Sequence, residues 1–271
     1  MNSLRAFCAE RVERLGIAPE GPARTDRLGR PILFRGSTET EAAGVSRLVD
    51  FLSQSPWYPN LSGEQKARVR SDCFDRSYHA GSTVCHRGDP ADHWLAVVDG
   101  IIKVDTASSA GRTVTFAGVP AGSWFGEGAV LKEEPRPYSV VAVRDSRLAF
   151  VPRSTFLWLL DHSSQFSRYV IDQLNARCGY YVGLVHNLRL HEASARVAFC
   201  LAEMFNQQLY PATDRILGLS QEEIGRLSGL SRQNTNRALR DLADAKLIAV
   251  EYGAIQILDL GALRRFAHVG D

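Results

Sequence analysis

Two hydrophobic periods divide the chain. Between Cys73 and Pro152, apolar residues come in short runs rich in β-branched and aromatic side chains: Trp94–Val98, Ile101–Val104, Thr113–Phe116, Ser139–Val143 and Leu148–Val151. Turn formers separate them at Gly88-Asp89-Pro90, Asp99-Gly100, Gly111 and Pro120-Ala121-Gly122. Many short strands at close spacing predict a β-sandwich or barrel. After Pro152 the period becomes helical, beginning with Phe156–Leu160. From Ser164 to about Leu190, the positions Ile171, Leu174, Cys178, Tyr181, Val185 and Leu188 recur at alternating spacings of three and four, a heptad seam on one long helix. Gly179 and Gly183 each cost such a helix about 1 kcal/mol relative to Ala, so it is expected to be held by a partner helix. The alternative is that the stripe packs on its own β-domain; one helix can also do both. A helix from Ala193 to Leu209 is expected to end at Pro211, and a short one from Val45 to Leu52 precedes Pro56 and Pro59.

The last fifty residues carry the most specific pattern. Ser220 followed by Glu223 is a capping box, and Ile224 and Leu227 give the helix behind it an apolar stripe. Gly229 supplies the permissive backbone of a tight turn. Ser231 then caps a second helix, whose core side is Ala238, Leu239 and Leu242. This is a helix-turn-helix. The second helix presents Arg232, Gln233, Asn236 and Arg237, side chains able to reach base edges and phosphates. From Arg226 to Arg240 there are four Arg and no acid. Leu247–Glu251, the turn Tyr252-Gly253 and Ala254–Leu258 then read as a hairpin wing. Ser220, Ser231, Arg232, Gln233, Asn236 and Arg237 are the candidate DNA-binding residues.

Composition narrows the classes. The 271 residues carry 32 Lys+Arg against 30 Asp+Glu, so any nucleic-acid signal must be local, as the Arg cluster is. No apolar run approaches the roughly 20 residues of a membrane helix, and the first residues have no signal-peptide core. Five widely spaced cysteines with no C-x-x-C pair argue against a disulfide framework or a cysteine-held metal, and a reducing cytoplasm is the expected compartment. Residues 1–44, rich in Arg, Gly and Pro but balanced by acids, read as a solvated extension. There is no Ser-His-Asp set, P-loop, metal-ligand spacing or paired carboxylates, so no catalytic or metal residue is assigned and an enzyme is not expected.

These motifs resemble the Crp/Fnr family of bacterial transcription regulators over about Trp57 to Phe266. Gly122-Ser123-Trp124-Phe125-Gly126-Glu127 looks like the start of that family's phosphate-binding cassette, and Arg136 falls where the cassette's Arg belongs. The run from Ala142 to Pro152, the long helix, and Ile224-Gly225 to Arg237 complete the likeness. The resemblance implies an α+β chain: an eight-stranded β-roll sensor domain (45–163), a dimerisation helix (164–192) and a winged helix-turn-helix (193–271). It also implies a homodimer on an inverted repeat of double-stranded DNA, with RNA polymerase as protein partner and no membrane. Arg232, Gln233 and Arg237 fall on the three base-reading positions; the middle one is often Glu in relatives. The implied effector site is Gly126, Glu127, Arg136 and Tyr181, although Glu127 and Arg136 read equally well as an ion pair inside the roll. Three positions depart from cyclic-AMP binders: Pro137 stands where a small hydroxyl residue is usual, and Tyr181 and Val182 where adenine is read. The effector is therefore expected to be another small molecule, or none. Oxygen-sensing members use an N-terminal cysteine cluster, and only Cys8 lies there; Cys85, His86, His79 and His93 read as structural or surface residues rather than haem ligands. A ligand-sensing module acting through protein–protein contacts is the competing function.

Overall fold

A computed structural model describes residues 47–107, 113–190, 192–211, 215–251 and 253–267. The expected extension 1–44, the start of the first expected helix, Gly111 and Tyr252 lie outside these residues. The described chain opens with helix α1 (47–54) and α2 (Gly63–Asp72). Eight strands follow: β1 (Phe74–Tyr78), β2 (Thr83–Cys85), β3 (His93–Asp99), β4 (Ile101–Ala107), β5 (Thr113–Pro120), β6 (Trp124–Phe125), β7 (Ser139–Ala142) and β8 (Ser146–Pro152). A short helix α3 (Glu127–Lys132) sits between β6 and β7. Helices α4 (Arg153–His162), α5 (Ser164–Leu190) and α6 (Ala193–Glu203) lead to the last unit: β9 (Ile216–Leu217), α7 (Gln221–Ser228), α8 (Arg232–Asp244), β10 (Ile248–Glu251), β11 (Ala254–Ile257) and α9 (Leu260–Ala267).

The eight strands form two four-stranded antiparallel sheets, ordered β1-β8-β3-β6 and β2-β7-β4-β5, which face each other as a β-roll. Each strand run read from the sequence is present, and β1, β2 and β6 complete the eight strands that the resemblance implies. Inside the roll, Leu95, Val97, Ile102, Val104, Val119, Phe125, Val140 and Leu148 make one buried cluster. Outside the first sheet lies an aromatic cluster. Trp94 stacks on Trp124 at 4.1 Å, Trp57 meets Trp124 edge-on at 5.1 Å, and Phe166 of α5 meets Trp57 at 5.3 Å. Such pairs are worth about 0.5–1.5 kcal/mol each beyond their burial. The buried Trp124 indole N–H donates to Ser55 Oγ at 3.0 Å, which fastens the segment after α1 to the roll.

Helix α5 spans the expected residues, and its two faces have separate duties. Phe166, Val170, Gln173 and Asn187 are buried, and the Tyr180 hydroxyl donates to the Phe116 carbonyl at 3.1 Å. The heptad seam lies on the other side: Ile171 is 63%, Val185 51% and Leu188 44% exposed. The buried contacts with its own domain therefore use different residues from the seam, of which Leu174, Cys178 and Tyr181 also border a cavity against the roll. Helix α6 ends at Glu203, six residues before the expected Leu209. The reason is local. Asn206 turns its side-chain oxygen onto the N–H groups of Gln208 and Leu209, at 3.1 and 3.3 Å, an Asx turn that competes with the helix. The chain then delivers Leu209 and Tyr210 to the roll's cluster.

Candidate effector pocket and nucleic-acid interface

A cavity of about 380 Å³ opens between the roll and α5. Val104, Ala117, Val119 and Phe125 form its apolar wall, Gly126 and Glu127 one rim, and Leu174, Arg177, Cys178 and Tyr181 of α5 the other. Gly126 adopts φ 88°, a left-handed conformation that suits glycine, and starts α3. Glu127, 2% exposed, accepts from Arg177 Nε at 2.6 Å, and Arg177 also donates to the Trp124 carbonyl. Burial works against the Arg177 cation, but the adjacent Glu127 charge and the phenols of Tyr210 and Tyr138 raise its pKa above the ordinary arginine value. Tyr138, on the cavity wall, is pushed up to about 12 by burial and then by Glu127, so it stays a neutral phenol.

Three of the four effector residues named from the sequence, Gly126, Glu127 and Tyr181, converge on this cavity. Arg136 does not, and the Glu127–Arg136 ion pair does not form. The backbone explains why. Arg136 is pinned to the turn before β3, its N–H donating to the Asp89 carbonyl at 2.9 Å and its carbonyl accepting from Gly88 N at 2.8 Å. Its Nη2 then donates to the His93 carbonyl at 2.6 Å, while Nη1 is buried without a partner. A β-carbon at Gly126 would lie 3.0 Å from that Nη1, so the glycine lets the guanidinium lie against the back of the cassette. Arg177 takes its place on Glu127. No sequence signal marks this pairing, since a single Arg inside an amphipathic helix reads as a solvated residue. Pro137 lines the cavity without an N–H to offer, and Val182 is 66% exposed and off the cavity wall. Arg136 Nη1, buried without a partner against Gly126, is an unused donor beside the cassette.

The second candidate site is built by caps and close approach. Ser220 Oγ accepts from Glu223 N at 3.3 Å and Glu223 Oε2 accepts from Ser220 N at 2.7 Å, the reciprocal capping box. Gly229 closes α7 at φ 64°. The Arg196 guanidinium donates to the Ser228 and Gly229 carbonyls, at 2.6 and 3.1 Å, and so satisfies the end of that helix. Ser231 Oγ accepts from Asn234 N at 3.3 Å and caps α8. The two helices cross where Gly225 meets Thr235: a β-carbon at Gly225 would fall 2.7 Å from Thr235 Oγ1. Ala238, Leu239 and Leu242 are buried with Ile224 and Leu227. The opposite face of α8 leaves Ser231, Arg232, Gln233 and Arg237 exposed, and Asn236 half-buried with its side-chain oxygen unpartnered. Of the four clustered arginines, Arg226 is paired with Glu222 at 2.5 Å, and Arg240 donates to the Asn236 carbonyl. The wing is a three-stranded sheet, β10-β11-β9, one strand more than the expected hairpin.

Among the described residues, no group of three or more His, Cys, Asp or Glu could hold a metal, and no helix is long and apolar enough to cross a membrane. Residues 75–163 match a family model described as cyclic nucleotide-binding domain, and residues 195–266 one described as Crp-like helix-turn-helix domain. The chain is 26% identical over 213 residues to the cyclic AMP receptor protein of Thermus thermophilus, covering 79% of this chain and 97% of that one. It is 28% identical over 191 residues to a CRP-like cAMP-activated global transcriptional regulator of Mycobacterium tuberculosis, covering 69% and 85%. Among solved structures, FixK2 from Bradyrhizobium japonicum superposes with a TM-score of 0.61 at 22% identity, over 72% of this chain and 96% of that one. A putative cAMP-binding regulatory protein from Silicibacter pomeroyi gives 0.57 at 21%, over 82% and 99%. The curated relatives include transcriptional regulators by name, such as the Mycobacterium tuberculosis protein.

The buried pair in the cavity makes a stability prediction. Arg177→Met leaves the Glu127 carboxylate buried without its partner and is expected to cost about 3–5 kcal/mol in urea unfolding. Adding Glu127→Gln, which removes the orphaned charge, should recover most of the loss. Equal stability of Arg177→Met and the unaltered protein would show that the pair is not held in solution.

Proposed function

This chain belongs to the Crp/Fnr family of DNA-binding transcription regulators, and from that premise we propose that it works as a homodimer. Each subunit places the helix Arg232–Asp244 in a major groove of an inverted repeat. The observation that carries the reading is the division of α8 into two faces. One face is sealed into the helix-turn-helix core, and the other holds Arg232, Gln233 and Arg237 exposed at its capped start. The N-terminal turns of a recognition helix are where base edges are reached. A guanidinium there pairs with guanine O6 and N7, and a glutamine amide with adenine N6 and N7. Gln233 thus asks for a different base from the Glu of many relatives, which can only accept. Ser220 and Ser231 cap the two helix starts that lie toward the DNA backbone, and Asn236 supports the reading face. RNA polymerase is the protein partner that this function implies.

The dimer contact is the seam of α5. Ile171, Leu174, Tyr181, Val182, Val185 and Leu188 are large apolar side chains left exposed on one helix, with Cys178 among them. A second copy of the same helix is the occupant that a heptad seam fits. The effector of this cavity is a molecule other than cyclic AMP, for the reasons given by Pro137, Tyr181 and Val182.

Three outcomes are expected. Leu174→Glu with Val185→Glu should sediment as a monomer; an unaltered dimer would reject the seam. Titration calorimetry with cyclic AMP should show no binding in the micromolar range, and a micromolar isotherm would reinstate the nucleotide. Selection from a random DNA pool should return an inverted repeat with half-sites about 34 Å apart. Against that consensus, Arg232→Ala or Arg237→Ala should cost about 1–3 kcal/mol at one base pair per half-site, and Gln233→Glu should change the preferred base. One unchanged consensus for all variants would show that α8 is not the reader.

A further inference from the structure

The charged groups on the cavity wall cancel one another. Glu127 and Arg177 face it as one pair, 2.6 Å apart, and the exposed Lys132 and Glu134 as another, 3.6 Å apart. Arg177 has a further acceptor in the Trp124 carbonyl. The unused Nη1 of Arg136 lies behind Gly126, and Arg136 is not on the wall. Among the described residues, the wall therefore offers no unpaired charge to a ligand.

Much of the remaining wall is apolar. Val104, Ala117 and Val119 make a floor from β4 and β5, and Phe125 and Leu174 close it from β6 and α5. An ion entering such a place sheds its hydration, and recovers the cost only from opposite charge that is free to meet it. An uncharged apolar body sheds little and gains by burial. Two phenols, Tyr138 and Tyr181, add uncharged donors. Burial raises the pKa of both, Tyr138 to about 12, so both stay protonated. Tyr138 is the deeper one: its hydroxyl lies 4.0 Å from where a β-carbon on Gly126 would be, whereas Tyr181 stands exposed on the rim. The volume, about 380 Å³, is near the small end of ligand cavities, which run from ~300 to ~1,000 Å³.

We propose that the cavity takes a small, uncharged, mainly apolar molecule with one carbonyl oxygen, a ketone, ester or lactone, which accepts from the Tyr138 hydroxyl. The inference rests on the reading of this cavity as the effector site of a DNA-binding regulator, and names the chemical class of that effector. The two ion pairs act by exclusion. They fill the polar end of the cavity without leaving a charge over, so nucleotides and organic acids are refused for want of a free cation, whatever their shape.

The test uses the full chain without DNA and three probes of nearly one shape, measured by equilibrium dialysis: methyl β-naphthyl ketone, β-naphthoate and β-ethylnaphthalene. The ketone and the carboxylate differ only by a methyl group exchanged for a charged oxygen, and the hydrocarbon lacks the acceptor. The ketone should bind the unaltered protein in the micromolar range, at least about tenfold more tightly than naphthoate. Tyr138→Phe should weaken the ketone about fivefold, the worth of one net hydrogen bond, and leave the hydrocarbon unchanged. Glu127→Gln leaves Arg177 without its counter-charge and should reverse the order in favour of naphthoate. Ala117→Phe and Val119→Phe fill the cavity from its floor, and each should abolish ketone binding. Naphthoate bound to the unaltered protein as tightly as the ketone would overturn the proposal, by showing that a cation such as Arg136 is reached. So would no ketone binding at all, ketone binding that survives both filling variants, or a Tyr138→Phe effect equal for ketone and hydrocarbon. Because no DNA is present, these failures leave the selection of an inverted repeat untouched. A protein that selects no repeat but discriminates the probes as expected would lose the DNA-binding reading alone.

Discussion

Everything in this molecule hangs on what a single long helix does with its circumference. A helix of 27 residues offers faces in every direction, and α5 has no apolar stripe wide enough to be buried all round. One side is spent on the chain's own β-roll and on the segment after α6, through Phe166, Val170, the Tyr180 hydroxyl and the Gln173 amide, which donates to the Gln208 carbonyl at 2.5 Å. Another sends Arg177 into the cavity to meet Glu127. What remains is the seam from Ile171 to Leu188, apolar and exposed. Because these faces share one rigid backbone, a displacement on any of them is felt along the others.

The buried Arg177–Glu127 pair illustrates how such sharing is stabilised. Two charges removed from water cost several kcal/mol each, and their mutual attraction offsets this only when the geometry is good and the remaining donors are used. Arg177 meets both conditions by donating to a carboxylate and to the Trp124 carbonyl at once. Trp124 in turn stacks on Trp94 and is fixed by Ser55. The polar contact inside the roll is therefore braced from behind by the aromatic cluster outside it. A purely apolar contact at this place would pack as well but would tolerate sliding; the ion pair fixes the position of α5 along α3.

The limits of reading this chain from its sequence follow from the range of the interactions. The helix-turn-helix was legible almost residue for residue, because its determinants are local: Ser220 with Glu223, the left-handed Gly229, Ser231, and the apolar stripe three and four residues on. The seam of α5 was legible for the same reason, since period is a property of one segment. The eight strands of the roll were implied by the resemblance, whereas hydrophobic pattern alone showed only the longer ones, because strands such as Trp124–Phe125 are too short to alternate visibly. The cavity was the least legible. Whether Glu127 meets Arg136 or Arg177 depends on contacts fifty residues apart, and on a turn at Gly88–Asp89 that ties Arg136 elsewhere. The early end of α6 was missed because an Asn side chain, and not the nearest proline, stops the helix.

Charge shows why the DNA-facing surface needs so few residues. The chain as a whole is close to neutral, so non-specific attraction to a polyanion is weak, and the reading helix has to supply its own field. It does so by keeping acids off the exposed start of α8 while pairing Arg226 with Glu222 one helix earlier. Arg232 and Arg237 then remain as cations whose charge is not consumed inside the protein. With little background attraction, the difference between a matched and a mismatched base is not diluted by tight binding everywhere else. A regulator whose affinity came mainly from a broad basic surface would hold most sequences nearly alike. On the proposed reading, Arg232 and Arg237 contribute both hold and choice, so the placement of α8, set by its cap, by Gly225 and by the packing beneath it, decides how well the protein discriminates.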